Sequence, residues 1–212
     1  MSVAVTDPRD FLVLVLCSAS GAGKTTLKDR LLAEHPELGF SVSHTTRARR
    51  ATEEDGREYR FVTKERFLGL AADGAFAEWA EVHGHHYGTS LAELERARET
   101  KRGVVFDIDV QGARQLRAAL PEAVLVFVLP PSLTELERRL RGRRDEGDEA
   151  IARRLEDARG ELAAYGLFDY VILNDDVDRA SKELSAIVLA ERARRWRRAP
   201  LAERLLATGA AR

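Results

Sequence analysis

The sequence predicts an α/β fold, a parallel sheet covered by helices on both faces, with one inserted region and a short lid. Three observations predict it. Short apolar runs recur at residues 11–17, 103–108, 123–129 and 170–173, and runs of this length bounded by polar sequence read as strands buried on both faces. Stretches of helical spacing lie between them, the alternation that a parallel sheet requires. A glycine-rich turn also joins the first run directly to the first helical stretch.

The first helix is read over residues 24–34, where Leu27, Leu31 and Leu32 share a face and His35-Pro36 brings it to a stop. Residues 40–90 break the rhythm. They carry Asp55-Gly56, alternating Tyr59 and Phe61, and glycines at 84 and 88, the signature of a hairpin-containing insertion. Ser132-Leu133-Thr134-Glu135 supplies a capping box at the start of a later helix. Residues 141–148 are densely charged with two glycines and read as a loop or lid, and residues 176–198 return to helical spacing. The expected division is core 1–39, insertion 40–92, core 93–140, lid 141–155, core 156–198 and tail 199–212.

Composition narrows the function classes. The chain has 212 residues, 44% hydrophobic and 33% charged, with a net charge of −1, so it has no polycationic character for nucleic acid or an anionic membrane. One cysteine, Cys17, excludes an internal disulfide and fits a reducing compartment. The apolar run at 11–17 is too short to span a bilayer, and Asp7, Arg9 and Asp10 before it do not make an export leader. A cytoplasmic protein is expected, with a homo-oligomer left open.

Ser20-Gly21-Ala22-Gly23-Lys24-Thr25-Thr26 lies between the first strand and the first helix, where unpaired N–H groups and the helix dipole favour a polyphosphate. Gly21 and Gly23 let the backbone wrap closely, Lys24 reaches outer phosphates, and the Thr25 hydroxyl ligates Mg²⁺. The usual pattern opens on glycine; here Ser18 stands there. Lys24 is expected to be solvated when no nucleotide is bound. The apolar strand ending Val105-Phe106-Asp107-Ile108-Asp109 offers a carboxylate, Asp107 or Asp109, to hold the metal through water. The bland alternative, a glycine-rich turn with a chance lysine, fits the flanking strand and helix less well.

Arg47, Arg49 and Arg50 place three guanidinium groups within four positions. That suits an anionic acceptor, but charge alone is matched equally well by a solvated basic loop. Here the sequence resembles the guanylate kinase family. The similarity runs in order through Ser41-Val42-Ser43-His44-Thr45-Thr46-Arg47, residues 53–62 (EEDGREYRFV), Phe76-Ala77-Glu78-Trp79-Ala80-Glu81-Val82, Tyr87-Gly88-Thr89-Ser90, Asp107-Ile108-Asp109-Val110-Gln111-Gly112 and Asn174-Asp175-Asp176. It covers roughly residues 11 to 190.

The resemblance implies a phosphate-loop NTPase-type fold and a direct, in-line transfer of the γ-phosphoryl group from Mg-ATP to GMP, with dGMP also accepted. Arg47, Arg50, Tyr59 and Tyr87 would hold the GMP phosphate. Glu78 would read guanine N1–H and its amine, with Ser43 and Thr89 near O6 and N7, and Asp107 and Asp109 nearby. A carboxylate offers only acceptors to guanine's two adjacent donors. Residues 20–26, Arg139, Arg143 and Asn174 would bind ATP, with Asn174 near the adenine. Lys24, Arg47, Arg143 and Arg154 would supply positive charge at the transferring group. Arg144 stands where the family commonly has glycine, and Ala19 and Ala48 where prolines are common.

Two rivals are a family-like protein-binding module without catalysis and a kinase of another phosphorylated acceptor such as a ribose bisphosphate. The first would not need Lys24, and the second would not need Glu78, Ser43 and Thr89 together. His83, His85 and His86 are read as a solvated turn rather than a metal site, and the five arginines within residues 192–198 as a solvated helix end.

Overall fold

The computed structural model describes residues 8–82, 84–142 and 148–210. β1 (Leu12–Ser18) is buried at all seven positions, which suits the central strand. It feeds through the glycine loop into α1 (Lys24–Glu34), and His35 caps that helix with its N–H on the Leu31 carbonyl. β2 (Leu38–Phe40) follows. The chain then leaves the sheet through β3 (His44–Thr45), β4 (Arg60–Phe61), α2 (Lys64–Ala72), β5 (Phe76–Val82) and β6 (His85–Ser90). It returns through α3 (Leu91–Thr100), whose Ser90 cap accepts from the Glu93 N–H, to β7 (Gly103–Asp107).

α4 (Val110–Ala119) is capped by Asp109 and leads to β8 (Val124–Leu129). α5 (Leu133–Arg141) starts at the capping box, with Ser132 Oγ accepting from the Glu135 N–H at 3.0 Å. α6 (Asp148–Ala163), β9 (Tyr170–Leu173), α7 (Val177–Arg192) and α8 (Arg195–Thr208) complete the described chain.

The main sheet is parallel, in the order β2-β7-β1-β8-β9. Alternate residues of β1 serve its two faces. Leu12, Leu14 and Leu16 pack with Leu27 and Leu31 of α1 and Leu184 and Val188 of α7. Phe11, Val13 and Val15 pack with Leu94 of α3 and Leu116 of α4. No described helix is long and apolar enough to cross a membrane.

The inserted region forms a second sheet, β4-β3-β6-β5, built on the antiparallel β5–β6 hairpin. Phe76 pairs with Ser90 and Glu78 with Thr89, so Ala77 is an extra residue in β5. Such a bulge re-aims neighbouring side chains, and Glu78 is the neighbour.

Three expectations are corrected. His85 and His86 are not a solvated turn; both belong to β6, and His86 is buried between the rings of Phe67 and Trp79. His83 lies outside the described residues. The helix expected over 176–198 breaks after Arg192, and residues 199–208 continue α8. The basic stretch is not uniformly solvated either. Arg197 is 1% exposed and donates to the carbonyls of Phe11 at 2.6 Å, Arg9 at 3.3 Å and Glu122 at 3.4 Å, while Arg192 pairs with Glu37.

Candidate active site

The phosphate loop bends where the chain can bend most. Gly21 and Gly23 have φ of 94° and 95°, a left-handed region costly for other residues. Gly23 also leaves room beneath it: a Cβ there would lie 2.3 Å from Asn174 Nδ2. Asn174 is buried and donates to the Ala22 carbonyl at 2.7 Å, and Arg139 Nη1 reaches the same carbonyl at 3.3 Å. Both therefore support the loop from below, and neither lines the cleft above it.

Lys24 corrects another expectation. Its ammonium is paired rather than free in solvent; it lies 2.6 Å from Asp107 Oδ1 and donates to the Ile108 carbonyl at 3.0 Å. Burial alone would lower its pKa, but the Asp107 carboxylate outweighs that and raises it, keeping the side chain charged. Parallel pairing of β1 with β7 brings this strand end beside the loop. Thr25 opens onto the cleft while Thr26, though exposed, does not line it.

The cleft is about 460 Å³ and runs from this loop to the inserted sheet. Gly21, Gly23, Lys24, Thr25 and Arg154 line one end; Ser43, Arg47, Arg50, Tyr59, Glu78 and Tyr87 line the other; Asp107 and Asp109 lie along it. Tyr59 and Tyr87 meet edge to face at 5.8 Å, and the Arg47 guanidinium sits 5.4 Å from the centre of the Tyr59 ring. Ser43 Oγ and Thr89 Oγ1 are 3.0 Å apart, and Thr89 is fully buried behind the lining.

Glu78 is 4% exposed and its Oε1 has no hydrogen-bond partner. Burial pushes its carboxyl up to about 7, with Thr89 opposing the shift and Asp109 adding to it. An unpartnered acceptor in a buried carboxylate calls for a donor from outside the chain. Asp109 itself caps α4, with Oδ1 accepting from the Gly112 N–H at 2.8 Å.

Two acids that the sequence did not single out shape the same cleft. Glu53 grips Arg47 in a two-point pair, 2.7 and 3.0 Å, and accepts from the Arg50 N–H at 2.9 Å. The three-residue steps Arg47, Arg50, Glu53 were the available signal. Glu161 of α6 accepts from the Ser20 N–H at 3.3 Å, and Arg154 from the same helix reaches Ser20 Oγ at 3.4 Å. Nothing in the sequence separates Glu161 from the other acids of that helix. Arg143 lies outside the described residues.

Residues 12–191 match the guanylate kinase family model. The chain belongs to the guanylate kinase family. It is 54% identical over 183 residues to a guanylate kinase of Oleidesulfovibrio alaskensis, covering 86% of this chain and 89% of that protein. It is 49% identical over 187 residues to one from Myxococcus xanthus, covering 88% and 90%. The crystal structure of guanylate kinase from Anaplasma phagocytophilum superposes with a TM-score of 0.77 at 34% identity, covering 94% of this chain and 95% of that one. Family membership therefore spans the core sheet, the inserted sheet and the cleft between them.

Proposed function

We propose that the protein transfers the γ-phosphoryl group of ATP to GMP, and to dGMP, releasing ADP and GDP. One observation carries the reading: a single cleft has a phosphate loop with a charged lysine at one end and, at the other, a buried carboxylate with one unpartnered oxygen. A phosphate oxygen of GMP attacks the γ-phosphorus as the bond to the bridging oxygen of ADP breaks. The transfer is direct, without a covalent enzyme intermediate.

In this reading residues 20–26 cradle the triphosphate, and Lys24 exchanges its Asp107 partner for the outer phosphates. Arg47, Arg50, Tyr59 and Tyr87 hold the acceptor phosphate. Glu78 accepts from guanine N1–H and the exocyclic amine, with Ser43 near O6 and N7 and Thr89, expected there too, instead backing Ser43 from behind the lining. Arg154 adds charge from α6, and Arg143 from the lid. Asn174 and Arg139 act on ATP by holding the Ala22 carbonyl, and so the loop. Glu53 keeps the Arg47 fork in the cleft.

The residues also fit Mg²⁺. No described group of three or more His, Cys, Asp or Glu could hold a metal by itself, and Mg²⁺ suits such a site because it keeps its waters and relies on substrate phosphates. Thr25 and, through water, Asp107 or Asp109 would hold it. Bound there, it would neutralise charge on the phosphates. The division into core, insertion 40–92 and lid 141–155 stays as proposed from the sequence, with residues 143–147 of the lid outside those described. A cytoplasmic setting agrees with the one buried thiol, Cys17.

A coupled assay of ATP with GMP, dGMP, AMP, UMP and CMP tests the proposal. GMP and dGMP should turn over, and AMP should be disfavoured by about 10⁴-fold in kcat/KM, as expected where buried polar groups read the base. Absence of GDP formation overturns it.

A further inference from the structure

We propose that Gly112 is a specificity-determining position: its missing side chain makes the slot in which the Glu78 carboxylate is held for the base. This rests on the proposed role of Glu78. A Cβ on Gly112 would lie 2.5 Å from Glu78 Oε2, 3.2 Å from its Cδ and 3.4 Å from Asp109 Oδ1. No real Cβ tolerates the first of these distances, so one partner must move.

The helix cannot readily yield. Gln115, one turn further along α4, donates to the Trp79 carbonyl at 2.7 Å and accepts from the Trp79 N–H at 3.1 Å. β5 is the edge strand of its sheet, and this amide pairs with its open side directly beside Glu78. Asp109 fixes the other end of the same turn through the Gly112 N–H. The chain between Asp109 and Gln115 is thus tied at both ends, and Glu78 is the movable partner. Glycine is a poor helix former, so its presence in the first turn of α4 is not explained by helix stability.

A methyl group at position 112 should therefore leave the fold intact and displace the carboxylate alone. Gly112→Ala should raise the GMP KM and shrink the GMP/AMP ratio of kcat/KM by at least ~10-fold, the weight of one charge-assisted bond. The ATP KM should stay within about twofold, well under one bond, and the melting temperature should not fall. Shortening the acid should make room again, so Gly112→Ala with Glu78→Asp should recover at least ~3-fold of the ratio lost by Gly112→Ala alone, a part of one such bond.

Glu78→Gln, assayed beside them, separates the two ideas. If Glu78→Gln collapses the ratio and Gly112→Ala leaves it within about twofold of the parent, well under one bond, this inference is overturned and the base-reading role stands. If the double variant recovers nothing, the steric cause is overturned. An unchanged ratio in Glu78→Gln removes the base-reading role, and this inference with it.

Discussion

At the scale of single residues the site balances charges that burial opposes. Lys24 is matched by Asp107, and removing it has two consequences. Lys24→Ala should lower kcat by at least ~100-fold, because a preorganised charge at a transferring group is worth ~3 kcal/mol or more. It should also cost about 1–3 kcal/mol of stability by leaving Asp107 without its partner, which a denaturant melt would detect. Turnover near that of the parent would remove Lys24 from the chemistry.

Glu78 has no such partner, and its carboxyl titrates near 7 against an ordinary 4.5. A folded-state pKa above the unfolded one means stability that is fully present below about 4.5 and is lost as pH rises through about 7. Glu78→Gln should therefore gain stability relative to the parent between pH 5 and 8, by on the order of 3 kcal/mol. The carboxylate form is the one that accepts from guanine, so the GMP KM of the parent should fall about tenfold from pH 6 to 8. The variant should show a flatter profile, and equal profiles would show that this titration is elsewhere. Lys24 and Asp107 were legible from spacing, whereas the arginines stood out only through the family resemblance, because charge alone fits a solvated loop equally well. Glu53 and Glu161 were not legible, because a lone acid becomes notable only once folding sets it against an arginine fork or a loop amide.

At the scale of elements, the loop and α6 act on the donor end of the cleft. Gly23→Ala would force a left-handed φ and push a Cβ onto Asn174, which itself secures the Ala22 carbonyl. Its ATP KM should rise at least ~10-fold, given the few kcal/mol that such strain stores. GMP affinity by calorimetry should stay within about threefold, under a kcal/mol. Arg154→Ala should depress kcat more than it weakens GMP binding, because its contact is with Ser20 of the loop; the reverse pattern would put Arg154 at the acceptor.

Elements with their own apolar signal were legible. β1, α1 and β9 are sequence runs whose neighbours are unmistakably different. β2 has three residues and β3 and β4 two each, too few for any period to show, and only pairing makes them strands. α2 carries Gly69 inside it, and α8 holds Pro200, a residue that argues against helix in any sequence reading.

At the scale of the molecule, Arg197 joins three distant parts of the chain. Its donors reach the start of β1, the turn before β8 and, through its own backbone, α8. Arg197→Ala would strand those carbonyls and open a cavity, costing about 3 kcal/mol or more. Thermal melts should show the loss, while KM values at 25 °C should not change because the cleft lies at the other end of the strands. A melt equal to the parent's would make this contact dispensable. The order of the main sheet has a further consequence during synthesis. β1 is made first, yet it occupies the middle of the sheet, between β7 and β8. Ribosomes add ~5–20 residues per second, so this strand waits roughly 5–20 s for its second neighbour to emerge. A nascent chain stalled before residue 103 carries an apolar strand with both edges open, the form of the molecule on which a chaperone would act.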